Sequence, residues 1–92
     1  MRFEDVIMDY DPGAKGVFGL VEYGPYELSI VKHDGSYGGK MGLYEIAIIK
    51  DGEFTELPGI TTTGDSVKGF LTEEEVDAIM IKMYSLTGEN GK

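Results

Sequence analysis

Residues 23–56 read YGPYELSIVKHDGSYGGKMGLYEIAIIKDGEFTE. Two runs of alternating apolar residues flank a glycine-rich loop at 34–42, and a second turn, Asp51-Gly52, follows the later run. Alternation indicates half-buried strands, because successive side chains of a strand point to opposite faces of the sheet. Asp-Gly is typical of the type I′ hairpin turn, which requires φ > 0 at both positions. The stretch therefore predicts consecutive antiparallel strands joined by two loops.

Four strands are predicted along the chain, at 17–23, 26–33, 43–50 and 54–57. The third carries apolar residues on both faces, which indicates a central position in the sheet. Residues 1–10 fit either one helical face or a strand. Residues 58–69 are rich in turn-forming residues and are predicted to form a loop, with an extended piece around Val67 as the alternative.

The last third of the chain contains a helix with clear start and stop signals. Thr72 is suited to the N-cap position, and Glu75 completes a capping box. Four apolar residues then repeat at helical spacing, and these are Val76, Ile79, Met80 and Met83. Gly88 suits the position after the last turn. We therefore expect one α+β domain over residues 1–88, a four-stranded, mostly antiparallel β-meander with one C-terminal helix packed on the sheet, followed by a frayed tail at 89–92.

The composition is that of a small acidic protein without disulfides. The 92 residues include 17 Asp and Glu, 8 Lys and Arg and no Cys, which gives a net charge of −9. Direct binding to nucleic acid or to an anionic membrane is disfavoured, because both depend on clustered Lys and Arg. The sequence shows neither a signal-peptide pattern nor an apolar segment of about 18 residues. We expect a soluble protein of the cytoplasm, whose charge either maintains solubility or complements a basic partner.

No motif in the chain predicts catalysis, a cofactor or a metal ion. A phosphate-binding P-loop around Gly39-Lys40 would need Gly at 34 and Ser or Thr at 41, and Asp34 and Met41 occupy those places. The single histidine, His33, has no clear acid–base partner, with Glu45 across the hairpin as the one option. The acidic residues do not match the spacing of an EF-hand. We therefore expect no catalytic residue, no cofactor and no metal site.

Aromatic residues supply the candidate binding groups. Tyr37 and Lys40 are expected at the tip of the glycine-rich loop, which is interpreted either as a plain hairpin connection or as a recognition loop. The strand tyrosines either pack across strands beneath the helix or stand on an uncovered face as a protein-binding patch ringed by glutamates. The residues with a predicted binding role are Tyr26, Tyr37, Lys40, Tyr44 and Glu45. Since one helix covers only part of a four-stranded sheet, we also expect a partner, with a homodimer as one option.

The segments YGPYELSIVKHDGSYGGKMGLYEIAIIKDGEF and GDSVKGFLTEEEVDAIM resemble a family of short uncharacterised proteins encoded by tailed bacteriophages. The likeness covers about residues 23–83 and rests on an SYGG…GLYE loop and strand and on an LTEEEV helix start. Its matching positions are Ser29, Tyr37, Gly38, Gly42, Leu43, Glu45 and Gly69. The resemblance implies a phage origin and expression in the cytoplasm of a bacterial host, and it implies no activity.

Size, acidity and the tyrosine-rich sheet together predict a role in protein binding. We expect a non-enzymatic phage accessory protein that binds, and in that way could inhibit, a host protein with a basic surface. A virion or assembly component is the alternative, and a small-molecule enzyme is a more distant one.

Overall fold

The computed structural model describes all residues, 1–92, as six strands and one long helix. The strands are β1 (Asp9–Asp11), β2 (Gly16–Tyr23), β3 (Tyr26–Lys32), β4 (Tyr44–Lys50), β5 (Glu53–Phe54) and β6 (Val67–Leu71), and the helix is α1 (Glu73–Thr87). Single 3-10 turns lie at Phe3–Asp5 and Gly39–Met41. The α+β class, with a C-terminal helix on an antiparallel sheet, is therefore confirmed.

All six strands form one antiparallel sheet. β1 to β5 are neighbours in chain order, and β6 pairs with β4 beside β5. The prediction of four strands is wrong in number, because the structure adds β1, which begins where residues 1–10 fit either a helix or a strand, and β6, which begins at the extended piece allowed around Val67. All three residues of β1 are exposed, and β6 contains a register shift opposite β4. β1 and β6 are strands because they form hydrogen bonds with β2 and β4, and not because their own side chains alternate.

The second turn and the central strand agree with the sequence prediction. Asp51 and Gly52 have φ values of 53° and 80°, as a type I′ turn requires. β4 pairs with β3 on one edge and with β5 and β6 on the other, which is the central position that its two apolar faces predicted. The ambiguous N-terminal residues form one 3-10 turn that leads into β1.

The helix begins and ends as its sequence signals predict. The Thr72 hydroxyl accepts a hydrogen bond from Glu75 N at 3.2 Å, and Thr72 N donates to Glu75 Oε1 at 3.0 Å. Gly88 closes the helix with a φ of 74°. No helix in the protein is long and apolar enough to cross a membrane.

The core lies between α1 and one face of the sheet, which we call the inner face. The helix contributes Val76, Ile79, Met80 and Met83, all buried as predicted. The sheet contributes Val21, Tyr23, Leu28, Ile30, Tyr44, Ile46, Ile48 and Leu71. Burying one large apolar side chain stabilises a fold by ~1.5–3 kcal/mol, so this layer supplies most of the favourable free energy of folding.

The residues after α1, for which we predicted a frayed tail, return to the sheet. Lys92 exchanges two main-chain hydrogen bonds with Glu22, at 2.9 and 3.0 Å. Gly91 lies against Val21 and Tyr23, where an added Cβ would be 3.1 and 3.2 Å from their side chains. The tail thus covers part of the β2 edge that the short β1 leaves free.

Candidate functional site

The face of the sheet opposite α1 has no helix or strand packed on it, and we call it the outer face. Its apolar residues are Phe18, Leu20, Val31, Ala47, Ile49, Phe54 and Val67, and its polar residues are Asp9, Asp11, Glu22, Glu27, Ser29 and Glu45. Phe18, Leu20 and Phe54 are 46%, 52% and 69% exposed. Large apolar side chains gathered on one open face indicate an interaction surface.

Strand register arranges the outer face in three rows. The first row is Asp9, Phe18, Val31 and Glu45; the second is Leu20, Ser29, Ala47 and Val67; the third is Glu22, Glu27, Ile49 and Phe54. The apolar side chains therefore run diagonally across the sheet, from Phe18 and Leu20 on β2 to Ile49 and Phe54 on β4 and β5. Carboxylates occupy the two corners on either side of that diagonal, Glu22 and Glu27 at one and Glu45 at the other, and Asp9 and Asp11 lie beside its Phe18 end.

Charge is divided between the two faces of the sheet. The outward-pointing strand residues include five carboxylates and no Lys or Arg, whereas Lys32, Lys50 and Lys68 are in register with inner-face positions. Two of these carboxylates, on Glu22 and Glu27, lie directly opposite each other. Like charges in that arrangement destabilise a strand pair, and the strands of the outer face carry an excess of negative charge.

The strand tyrosines lie on the inner face, away from this surface. Tyr44 is buried in the core, where its ring meets Phe3 edge to face at 5.2 Å and lies 4.8 Å from Lys32 Nζ. Tyr26 is half-buried, with Lys50 Nζ 5.3 Å from its ring centre. Of the two interpretations, cross-strand packing beneath the helix describes both residues, and neither contributes to the open apolar face.

Glu45 lies on the outer face and connects it to the glycine-rich loop. Its Oε1 accepts a hydrogen bond from Tyr37 N at 2.8 Å. Inside the loop, the Ser36 hydroxyl accepts from His33 N at 3.0 Å and donates to His33 O at 2.8 Å. A Cβ at Gly39 would lie 1.7 Å from that same His33 oxygen. The loop is therefore a compact folded unit in which glycine is needed for close approach as well as for positive φ.

Three exposed residues at this end of the sheet form what we call the loop-end cluster, Tyr37, Met41 and Phe70. Tyr37 is 64% exposed and Phe70 56%, and Phe70 N donates to Tyr37 O at 3.1 Å. A Cβ at Gly69 would lie 2.3 Å from Tyr37 Cβ, so the strand and the loop are in direct contact. Lys40 and Lys68 flank the cluster on its two sides. Of the predicted binding residues, the structure therefore brings Tyr37 and Lys40 together on the surface.

Phe70 has an unusual backbone conformation. Its φ is 58°, within the left-handed region, and it follows Gly69 in the segment where the β4–β6 register shifts. That conformation costs a residue with a Cβ roughly 1–2 kcal/mol, and a bulge of this kind redirects a side chain. No residue pattern in the sequence predicts this conformation, which occurs where β6 pairs with β4.

The polar side chains show no arrangement for metal binding. No group of three or more His, Asp or Glu side chains is placed to hold an ion. The His33 ring accepts a hydrogen bond from Gly35 N at Nδ1, at 3.0 Å, and this contact serves the loop.

Comparison with protein-family models, curated proteins and solved structures found no match for this chain.

Proposed function

We propose that this protein acts by binding another protein through its outer face, without catalysing a reaction. The observation that supports this best is the diagonal of apolar side chains across an uncovered sheet, in which Phe18, Leu20 and Phe54 are exposed. An apolar centre with a charged rim is the usual anatomy of a protein-binding surface. Phe18, Leu20 and Phe54 are the side chains that such a partner would bury.

The partner's chemistry follows from the charge of the same face. Carboxylates at both corners and the absence of outward-pointing strand Lys or Arg favour a partner that surrounds an apolar patch with basic side chains. The net charge of −9 would speed the encounter with such a protein. Pairing of two copies through their outer faces would set carboxylates against carboxylates, so a second copy is the less favourable occupant.

The resemblance to phage proteins suggests where this binding takes place. We place the protein in the cytoplasm of an infected bacterium and its partner among the host's proteins. Occupying a functional surface of that host protein would be enough to inhibit it.

Affinity capture from bacterial extract tests this function with three baits. The first is the natural sequence, and the second is the double variant Leu20→Ser/Phe54→Ser. The third is Ile81→Ser, a matched control, because Ile81 is 51% exposed but belongs to α1 on the other side of the sheet. Serine at such exposed positions changes the free energy of unfolding by only about 0.5 kcal/mol, so all three baits stay folded.

The expected result is a basic protein, identified by mass spectrometry, that the natural sequence and Ile81→Ser both retain and the double variant loses. Its retention should weaken as salt rises from about 0.1 to 0.5 M, because the rim carboxylates are exposed to solvent. Equal retention by all three baits would contradict the proposed function.

A further inference from the structure

We infer that the open edge of β6 binds an extended, uncharged apolar segment of a protein, which adds to the sheet as an antiparallel strand. This inference goes beyond the proposed function, because it uses main-chain groups of Val67 and Gly69 and none of the side chains of the apolar diagonal. β6 pairs with β4 on one side, and no strand lies on its other side. An unpaired strand edge is a template for a further strand.

The register of β6 shows which residues face the open edge. Ile48 N donates to Ser66 O at 3.1 Å, so Ser66 faces β4. Because hydrogen-bonded and non-hydrogen-bonded pairs alternate along an antiparallel ladder, Lys68 also faces β4 with its main-chain groups. The main-chain groups of Val67 and Gly69 therefore point away from β4, to the open edge.

Hydrogen bonds already made at this edge leave three main-chain groups free. Asp65 Oδ1 accepts from Val67 N at 3.0 Å, and Phe70 N donates to Tyr37 O at 3.1 Å. Between these two contacts lie the carbonyl of Val67 and both the N–H and the carbonyl of Gly69. A residue that offers both groups exchanges two hydrogen bonds with one residue of an antiparallel strand. The three free groups are therefore complementary to a peptide main chain.

A depression lies on each side of this edge. On the outer side, a depression of about 360 Å³ lies between Tyr37 and Thr62. On the inner side, a depression of about 230 Å³ lies between Ile60, Ala78 and Ile79. Since successive side chains of a strand point to opposite faces of the sheet, an added strand places side chains in both depressions.

Charges around the two depressions balance. Asp65 and Glu75 supply two negative charges, and Lys68 and Lys82 supply two positive ones. A charged side chain would lose part of its hydration there and would meet as many like charges as opposite ones. An uncharged apolar side chain has no such cost, so it is the occupant that this surface favours.

Antiparallel pairing decides where three consecutive side chains of the segment lie. The residues opposite Gly69 and Val67 place their side chains on the outer side, because paired residues share a face. The residue between them lies opposite Lys68 and enters the inner-side depression. We therefore expect three apolar residues in a row at the centre of the segment.

A second copy of this chain fits the edge poorly. To use the same free groups, two copies would pair Val67 of each with Gly69 of the other, which sets Lys68 directly opposite its own equivalent. Like charges in that position destabilise a strand pair. The Val67 N–H that such pairing needs is also held by Asp65.

Titration of the ¹⁵N-labelled protein with capped Ser-Val-Val-Val-Ser tests the edge by NMR. The matched control is the same peptide with its three valine amides N-methylated, which keeps the side chains and removes the hydrogen-bond donors. We expect the first peptide, at ~1–10 mM, to shift the Gly69 amide proton downfield and to slow its exchange with solvent. The N-methylated peptide should do neither.

Matched protein variants locate the bound peptide. Ala78→Phe fills the inner-side depression and should weaken binding of Ser-Val-Val-Val-Ser about fivefold or more. Ser85→Phe makes a similar change at an exposed position of α1 outside both depressions and should leave binding unchanged. Leu20→Ser/Phe54→Ser should also bind the peptide as the natural sequence does, so the edge and the outer face fail separately.

Several results would overturn the inference. Equal responses to the two peptides would show that side chains alone bind, and no response at Gly69 would show that the edge is closed. Equal weakening by Ala78→Phe and Ser85→Phe would remove the inner-side depression from the site. A mass that doubles with protein concentration in sedimentation, while Gly69 exchange slows, would show that a second copy occupies the edge.

Discussion

Asp77 joins the first residues of the chain to the helix. Both its oxygens accept hydrogen bonds from Arg2 Nε, at 2.8 and 2.9 Å, and Oδ1 also accepts from Phe3 N at 2.9 Å. The hydrogen bond from the Arg2 side chain, followed by the Phe3 main chain, lowers the pKa of Asp77 to about 2. A single carboxylate thus fixes the N-terminal turn against α1, where Phe3 and Val6 pack on the core.

Removing that carboxylate should change how stability depends on acid. A lowered pKa in the folded state means that the stabilisation is present above the unfolded value of 3.8 and is lost as pH falls towards 2. We therefore expect Asp77→Asn to be less stable than the natural sequence at pH 7, with a difference that shrinks between pH 4 and 2. Urea unfolding at several pH values measures this, and a constant difference would contradict the role of Asp77.

Tyr23 has a fully buried hydroxyl that no protein group satisfies. Burial, and secondly the negative charge of Asp77, raises the pKa of this phenol to about 12. An unsatisfied buried hydroxyl costs ~1–3 kcal/mol, so Tyr23→Phe should raise the free energy of unfolding by about 1 kcal/mol.

Alkaline pH provides the control for Tyr23. Because the folded pKa is raised, the stabilisation from the neutral phenol is present below pH 10 and is lost as pH rises towards 12. Tyr23→Phe has no hydroxyl to ionise, so its free energy of unfolding should not fall in this way. Urea unfolding at pH 7 and pH 11 checks both statements, and a destabilised Tyr23→Phe would show that the hydroxyl has a partner.

The structure shows why the loop at residues 34–42 is rich in glycine. Its glycines fail the P-loop spacing, and the contacts within the loop account for them instead. Gly39 is packed against the His33 main chain, whereas a Cβ at Gly42 would meet no atom within 4 Å. Gly42 is needed only for its φ of 76°.

This difference predicts unequal effects of alanine in the two positions. Gly42→Ala should cost roughly 1 kcal/mol, the cost of placing a Cβ in the left-handed region. Gly39→Ala should cost clearly more, because the 1.7 Å approach to His33 O requires the backbone to move. Thermal unfolding of both variants measures the difference, and equal losses would show that the loop is loosely packed.

The elements that the sequence predicted well are those specified by neighbouring residues. The Asp51-Gly52 turn and the Thr72 cap depend on contacts only a few residues apart, so their residue types announce them. β1 pairs with the next strand, β2, but its three residues are all exposed and carry no apolar alternation, whereas β6 depends on pairing with β4, which lies much earlier in the chain. Tyr37 and Lys40 lie at the surface, as a position at a loop tip predicts, whereas the strain at Phe70 occurs at the β4–β6 pairing, which no local pattern indicates.

The alternation of side chains along a strand does not show which of the two faces of the sheet is covered. In β2 both alternating sets are apolar, Val17, Val21 and Tyr23 on one side and Phe18 and Leu20 on the other. Periodicity separates the two sets, but only the position of α1 decides which is covered. Their aromatic character predicts a binding role for Tyr26 and Tyr44. The structure instead leaves Phe18, Leu20 and Phe54 exposed to solvent on the outer face.

Over the whole molecule, the sheet separates a packed apolar face from an open one. The inner face has the helix and the strand lysines, and the outer face has the apolar diagonal and five carboxylates. A small protein with one layer of helix leaves half of its sheet surface available to a partner. This division of apolar surface and charge is the basis of the binding function proposed above.

Methyl NMR of the complex with the captured partner tests that function most directly, because methyl groups report on each face separately. Leu20, Val31 and Ile49 lie on the outer face, and Ile81 on α1 serves as the exposed reference. We predict that adding the purified basic partner shifts or broadens the methyl signals of Leu20, Val31 and Ile49 and leaves Ile81 unchanged. A complex in which Ile81 responds and the three outer-face residues do not would contradict the account.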